Sequence, residues 1–129
     1  MSICFNSIQV TAPETTANRL LAKAFESSDF DDWGMSPQAF SFLPFVADKS
    51  DQDLQRALES IWTNWIERHW QKPDQVLTIE FESENTPPIA AVNAMIEWLQ
   101  QQKLIFDLRY QYRRENESWQ GELTAHSTH

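Results

Sequence analysis

The sequence predicts one α+β domain in which helices pack on one face of an antiparallel or mixed β-sheet. Segments with alternating apolar and polar residues, typical of half-buried strands, are separated by segments with the three-to-four-residue apolar period of amphipathic helices. The chain has 129 residues, of which 41% are hydrophobic, enough to form one core without disulfide or metal cross-links. We expect residues 1–124 to form this domain and residues 125–129 to form a flexible C-terminal tail.

The first half of the chain predicts a strand, a helix, a short strand and a second helix. Residues 3–10 alternate as a strand. Pro13 lies in the first turn of an amphipathic helix that ends near Glu26. Residues 38–42 predict a short strand within an aromatic-rich loop, and the stretch from Ser50 toward Pro73 predicts an inserted aromatic helix. The apolar stripe of that helix would be Leu54, Leu58, Ile61, Trp62, Trp65, Ile66 and His69.

The second half predicts a strand, a helix and a terminal hairpin. Residues 75–82 alternate cleanly. Thr86 with the proline pair at 87 and 88 begins a helix that runs to about Gln102. Residues 104–112 alternate again, and a polar turn leads from them into residues 119–123. This order of elements predicts a ferredoxin-like sandwich with helices on one face of the sheet and an inserted aromatic helix.

The composition narrows the cellular setting and the class of partner. Cys4 is the only cysteine, so no internal disulfide or multi-cysteine metal site forms, and a reducing cytoplasm is the expected location. No run of about 18 apolar residues predicts a membrane span. Nineteen acidic against ten basic residues give a net charge of -9, which disfavours nucleic-acid binding and favours a basic protein partner. The candidate acidic surface comprises Glu80, Glu82, Glu84, Asp29, Asp31 and Asp32.

No residue pattern predicts a catalytic, metal or cofactor site. Cys4 shares a strand face with Ile8, where a cysteine is an inert apolar residue, and His69 lacks a second ligand one helical turn away. The chain has only two glycines and no phosphate-binding loop. Glu80 and Glu82 share a strand face and could act as an acid–base pair. We expect an exposed ion-pair lattice instead, with Asp107, Arg109 and Arg113 as cross-strand neighbours.

The uncovered face of the sheet offers no stacking platform for RNA. Phe5 is the one aromatic residue expected there, among Thr78, Glu80, Glu82, Asp107, Arg109 and Gln111.

Five short blocks resemble the YubB-type ferredoxin-like domain family, which occurs largely on plasmids and phages. The blocks are residues 4–10 (CFNSIQV), 42–45 (FLPF), 79–88 (IEFESENTPP), 106–110 (FDLRY) and 119–123 (WQGEL). The resemblance implies a ferredoxin-like fold and a mobile-element context, and the family has no settled activity. The chain departs from the family pattern at Asn64 to Trp70, where the glycine of the family motif is absent, and at Glu84 to Thr86, where a tryptophan is absent.

The tryptophan content predicts a protein-contact surface. Six tryptophans are more than a small core requires, and tryptophan is enriched at the energetic centres of interfaces. We therefore expect a non-catalytic protein-binding or dimerisation module. One alternative is an acidic nucleic-acid mimic that inhibits a DNA-binding or defence protein, and another is an enzyme of unknown type. The candidate contact residues are Trp33, Trp62, Trp65, Trp70 and Trp98.

Overall fold

The computed structural model describes residues 3–24, 42–46, 52–59, 61–71, 74–84, 86–115 and 120–127. Three helices are present in this part of the chain, namely α1 (Glu14–Ala24), α2 (Gln52–Glu59) and α3 (Ile89–Gln101). The described strands are β1 (Ile3–Ala12), β2 (Ile61–Gln71), β3 (Asp74–Glu84), β4 (Asp107–Arg114) and β5 (Gln120–His126). A 3-10 turn spans Leu43–Phe45.

The strands form one antiparallel sheet in the order β2-β3-β1-β4-β5. The first four strands and the helices α1 and α3 follow the order strand, helix, strand, strand, helix, strand. With β1 and β3 in the middle, this arrangement is compatible with a ferredoxin-like sandwich. The predicted α+β fold class is therefore confirmed, and β5 extends the sheet beyond β4.

The core lies between the helices and one face of the sheet. Alternate residues of β1 are buried, as are alternate residues of β3 and the first half of β4, so the period-two pattern of the sequence gives each strand one buried face. Leu20 of α1 and Met95 and Leu99 of α3 are fully buried. Each such side chain contributes roughly 1.5–3 kcal/mol of burial free energy. The apolar faces of the helices and strands thus position the opposite face of the sheet toward solvent.

The largest difference from the sequence prediction lies in residues 61–71, which form the edge strand β2 and not a helix. The predicted inserted helix is present as α2, but it has only eight residues, so the aromatic part of the prediction was wrong. Isoleucine, threonine and tryptophan favour a pleated strand, and β2 pairs with β3 from Ile61–Ser83 to Gln71–Asp74. This pairing, which is irregular between Ile61 and Asn64, covers the edge that β3 would otherwise leave free.

Smaller differences concern the ends of elements. The predicted short strand at 38–42 lies outside the described residues except for Phe42, which forms a bend before the 3-10 turn. The strand predicted from Leu104 begins at Asp107, although Leu104 and Phe106 are both buried. At the other end, β5 extends to His126, two residues past the expected domain boundary. Among the described residues, no helix is long and apolar enough to cross a membrane.

Candidate functional site

The sheet face opposite the helices, here called the open face, carries a groove of about 640 Å³. It lies over β3, β1, β4 and β5. Its lining residues are Phe5, Asn6, Ser7, Glu80, Phe81, Glu82, Gln111, Tyr112, Arg113, Gly121 and Glu122. This volume is within the usual range for ligand sites, about 300–1,000 Å³.

The groove exists because a short side chain lies at the centre of the sheet. Strand pairing places Ser7 of β1 between Glu80 of β3 and Gln111 of β4. Glu122 of β5 is in turn the partner of Gln111. Side chains of neighbouring strands stand side by side on one face of a sheet, so the longer neighbours of Ser7 form walls around a low floor. The sequence contains the signal for this floor, namely a serine between Phe5 and Gln9 on the polar side of β1.

One end of the groove is ordered by a cation–π contact. The guanidinium carbon of Arg113 lies 4.7 Å from the centroid of the Phe5 ring. Such a contact contributes about 0.5–1 kcal/mol at exposed sites. Phe5 is the direct cross-strand partner of Glu82 on β3 and of Arg113 on β4. The Phe5 residue therefore lies between an acidic residue and a basic residue.

The other charged contact on this face joins Arg109 of β4 to Glu122 of β5. Arg109 Nε donates to Glu122 Oε1 over 2.9 Å, and the terminal guanidinium nitrogen donates to Oε2 over 3.4 Å. Both side chains are about half exposed, so the pair contributes about 0.2–1 kcal/mol. Arg109 therefore pairs with a carboxylate of the neighbouring strand β5 and not with one of β3.

The sequence prediction for the neighbours of Glu80 and Glu82 was wrong. These glutamates lie on β3, whereas the expected partners Asp107, Arg109 and Arg113 lie on β4, and β1 separates the two strands. The direct partners of Glu80 and Glu82 on β1 are Ser7 and Phe5. Sequence alone orders the strands along the chain, but only the sheet order shows which of them are adjacent.

The open face is predominantly acidic in the described strands. Glu80, Glu82 and Glu84 form a row along β3, and the residues between them are buried on the other face. Two residues of an antiparallel strand span about 6.8 Å, so successive carboxylates leave the strand at that interval. On β3, β4 and β5, this face carries six acidic residues, Asp74, Glu80, Glu82, Glu84, Asp107 and Glu122, and two basic ones, Arg109 and Arg113. Asp29, Asp31 and Asp32 lie outside the described residues.

The candidate tryptophans do not form the expected helix surface. Trp62, Trp65 and Trp70 belong to β2, where the backbone pairs Trp65 with Glu80 and Trp70 with Gln75. Trp98 is half-buried on α3 and packs edge-on against Phe45, with the ring centroids 5.4 Å apart. It therefore contributes to the helical layer and the core. Trp33 lies outside the described residues.

A buried polar cluster lies on the helix side of the sheet, beneath the same strands. Asn6 Nδ2 lies within hydrogen-bond distance of the Cys4 carbonyl (3.2 Å), the Phe81 carbonyl (3.4 Å) and Ser83 Oγ (3.0 Å). Tyr110 donates its hydroxyl proton to Asn6 Oδ1, and Ser83 Oγ donates to the Thr86 carbonyl over 2.8 Å. The side-chain amide of Asn6 thus connects β1, β3 and β4 within the core.

The environment of this cluster suppresses its reactivity. Burial raises the pKa of the Cys4 thiol. Burial also raises the pKa of the Tyr110 phenol, and nearby Cys4 and Tyr112 add to this effect. A neutral, fully buried thiol is a poor nucleophile. His69 is opposite Val76 and Cys4 is opposite Ser83, which places the two residues roughly 20 Å apart along β3.

No group of three or more metal-ligating side chains occurs in the part of the chain that the structure describes. Comparisons with protein-family models, with curated proteins and with solved structures found no match. The chain is therefore assigned to a class by its architecture alone, as a small α+β domain with one covered and one open sheet face. The resemblance of the five sequence blocks to the YubB-type family stays a prediction.

Proposed function

We propose that this domain is a non-catalytic protein-binding module whose partner docks in the groove of the open face. The observation that carries the proposal is the groove itself, which is a 640 Å³ depression over four strands, with aromatic residues and both signs of charge among its lining residues. Interfaces use such mixtures, in which an aromatic group supplies contact area and charged groups select the partner.

The state of the nucleophilic side chains supports a binding role over catalysis. Cys4 is fully buried beneath the helices, and Tyr110 is fully buried and donates to Asn6. Both groups hold their protons more tightly than usual because of burial. A cysteine nucleophile requires the opposite environment, with access to substrate and a lowered pKa.

Site-specific photo-crosslinking tests the proposed docking face. A photoreactive phenylalanine analogue replaces Gln111, an exposed residue at the groove, and separately replaces Asn93, an exposed residue of α3. We expect irradiation in the native cells to link a protein at position 111 but not at position 93. The linked protein is then purified and its binding is titrated directly. A second copy of this chain, recovered as the linked protein, would identify the module as a dimerisation domain.

A pair of matched substitutions then decides whether the groove binds the partner. Ser7→Tyr fills the floor of the groove, whereas Thr124→Tyr adds the same ring to the open face outside the groove. We expect Ser7→Tyr to weaken binding at least tenfold and Thr124→Tyr to change it less than twofold. Equal affinity of the two variants, with both folded by circular dichroism, would refute docking in the groove.

The acidic nucleic-acid mimic is the second candidate, and the carboxylate row of Glu80, Glu82 and Glu84 favours it. A mimic of duplex DNA requires a second row of carboxylates parallel to the first. On the other side of β1, however, the open face of β4 carries Arg109 and Arg113. Competition separates the candidates, because DNA must displace this domain from a protein that it inhibits by mimicry. Simultaneous binding of DNA and the domain to that partner would contradict mimicry.

A further inference from the structure

We infer that the segment bound in the groove is an extended peptide with lysine or arginine at alternate positions. The inference rests on the proposed function and adds the chemistry and the spacing of the partner. Three features of the open face carry it, namely the interval of the carboxylates, the charges on the two walls and the low floor at Ser7.

The spacing of the carboxylates matches that of an extended peptide. Glu80, Glu82 and Glu84 lie on one face of β3 at two-residue intervals, which correspond to about 6.8 Å. An extended peptide running along β3 directs every second side chain to the same side, with the same interval. Basic residues at alternate positions therefore meet successive carboxylates in register, whereas adjacent basic residues point to opposite sides.

The charges of the two walls determine where the basic side chains lie. On the β4 and β5 side, the negative charge of Glu122 is offset by the positive charge of Arg109. Arg113 covers the Phe5 ring on the same side and repels a cation. The charged residues that β3 contributes to the groove are both acidic, namely Glu80 and Glu82. A basic peptide is consequently directed toward β3, with its backbone above Ser7, where the short side chain leaves room.

Two peptides of equal composition and charge test the alternation. The first is a capped seven-residue peptide in which three arginines alternate with four glycines. The second has the same composition, with the three arginines adjacent and two glycines on each side. Binding to the isotope-labelled protein is followed by NMR at the backbone amides of Ser7 and Gln111. We expect the alternating peptide to bind at least fivefold more tightly, with shifts centred on β1 and β3. Equal affinities would overturn the inference, because the two peptides differ only in spacing.

Two charge-matched double variants test the carboxylates. Glu80→Gln with Glu82→Gln and Glu14→Gln with Glu97→Gln each remove two negative charges from the same total of -9. Glu14 and Glu97 are exposed on α1 and α3, away from the open face. We expect a loss of affinity for the alternating peptide of about two- to thirty-fold in the first variant, from two exposed ion pairs. The second variant should lose less than twofold.

The outcomes separate this inference from the proposed function. A crosslinked partner that requires an open groove, but binds equally well to the Glu80/Glu82 variant, would retain the binding module and overturn the basic peptide. Equal losses in the two charge variants would also overturn it, since they would show attraction by total charge alone. The proposed function itself fails if Ser7→Tyr leaves partner binding unchanged, whatever the peptides do.

Discussion

The interaction between Asn6 and Tyr110 gives the sharpest test of how the sheet is held together. Asn6 is 4% exposed and Tyr110 is fully buried. Replacing Asn6 with alanine removes the acceptor of the Tyr110 hydroxyl and leaves that hydroxyl buried without a partner, at a cost of about 1–3 kcal/mol. The lost bonds to backbone carbonyls add to this. We therefore expect Asn6→Ala to reduce the free energy of unfolding by about 2–4 kcal/mol.

A double-mutant cycle isolates the contribution of this one hydrogen bond. In a Tyr110→Phe background, Asn6→Ala leaves no buried hydroxyl without a hydrogen-bond partner. The loss in free energy of unfolding caused by Asn6→Ala should therefore be about 1–2 kcal/mol smaller there than in the wild type. Urea unfolding of the four proteins, with equal dependence on urea concentration, measures the difference. Gln9→Ala, an exposed change on the same strand, is the control and should shift stability by under about 0.5 kcal/mol. Additivity within about 0.5 kcal/mol would refute the coupling.

Three further predictions concern single features of the fold. A methyl group at residue 121 would overlap the Tyr112 ring, which packs against Tyr110. Gly121→Ala should therefore destabilise the domain by about 1–3 kcal/mol in urea unfolding, and recovery in Gly121→Ala with Tyr112→Leu would confirm the cause. Cys4 is buried, so a thiol reagent should react with the native protein at the rate of unfolding, and fast labelling would place the thiol at the surface.

The raised pKa values of Cys4 and Tyr110 mean that the native state retains protons that the unfolded chain releases, so stability should fall as the pH rises above 9.0 for Cys4 and above 10.0 for Tyr110. Each group contributes at most about 1.4 kcal/mol per pH unit. A Cys4→Ala, Tyr110→Phe variant that loses stability as steeply as the wild type above pH 9 would contradict this origin.

The regular alternation of β3 made that strand predictable, and the proline pair with a buried stripe did the same for α3. Residues 61–71 were not predictable in this way, because isoleucine and tryptophan at three- and four-residue intervals satisfy a helical period as well as a strand pattern. The choice depends on β3, whose otherwise free edge pairs with nine of the eleven residues of β2. That edge is a tertiary feature, which no local window of sequence contains.

The candidate site was predictable residue by residue but not as an arrangement. The acidic row Glu80–Glu84 and the ring of Phe5 could be assigned to a polar strand face from their alternation. Their neighbours could not, since β1 enters the sheet between β3 and β4. The position of β1 between β3 and β4 also accounts for the groove, because it places Ser7 between longer side chains. The adjacency of strands that lie far apart in the chain is therefore not encoded in any local sequence pattern.

The central position of β1 also constrains the order in which the domain is assembled during translation. Ile8 pairs with Ile79 on one side and with Tyr110 on the other. During translation β1 therefore precedes both of its partner strands, by about 70 and about 100 residues. The β2–β3 and β4–β5 pairs join strands that are close in the chain and form without it. Until then the residues of β1 that the fold buries, among them Cys4, Ile8 and Val10, stay exposed to solvent or to a chaperone.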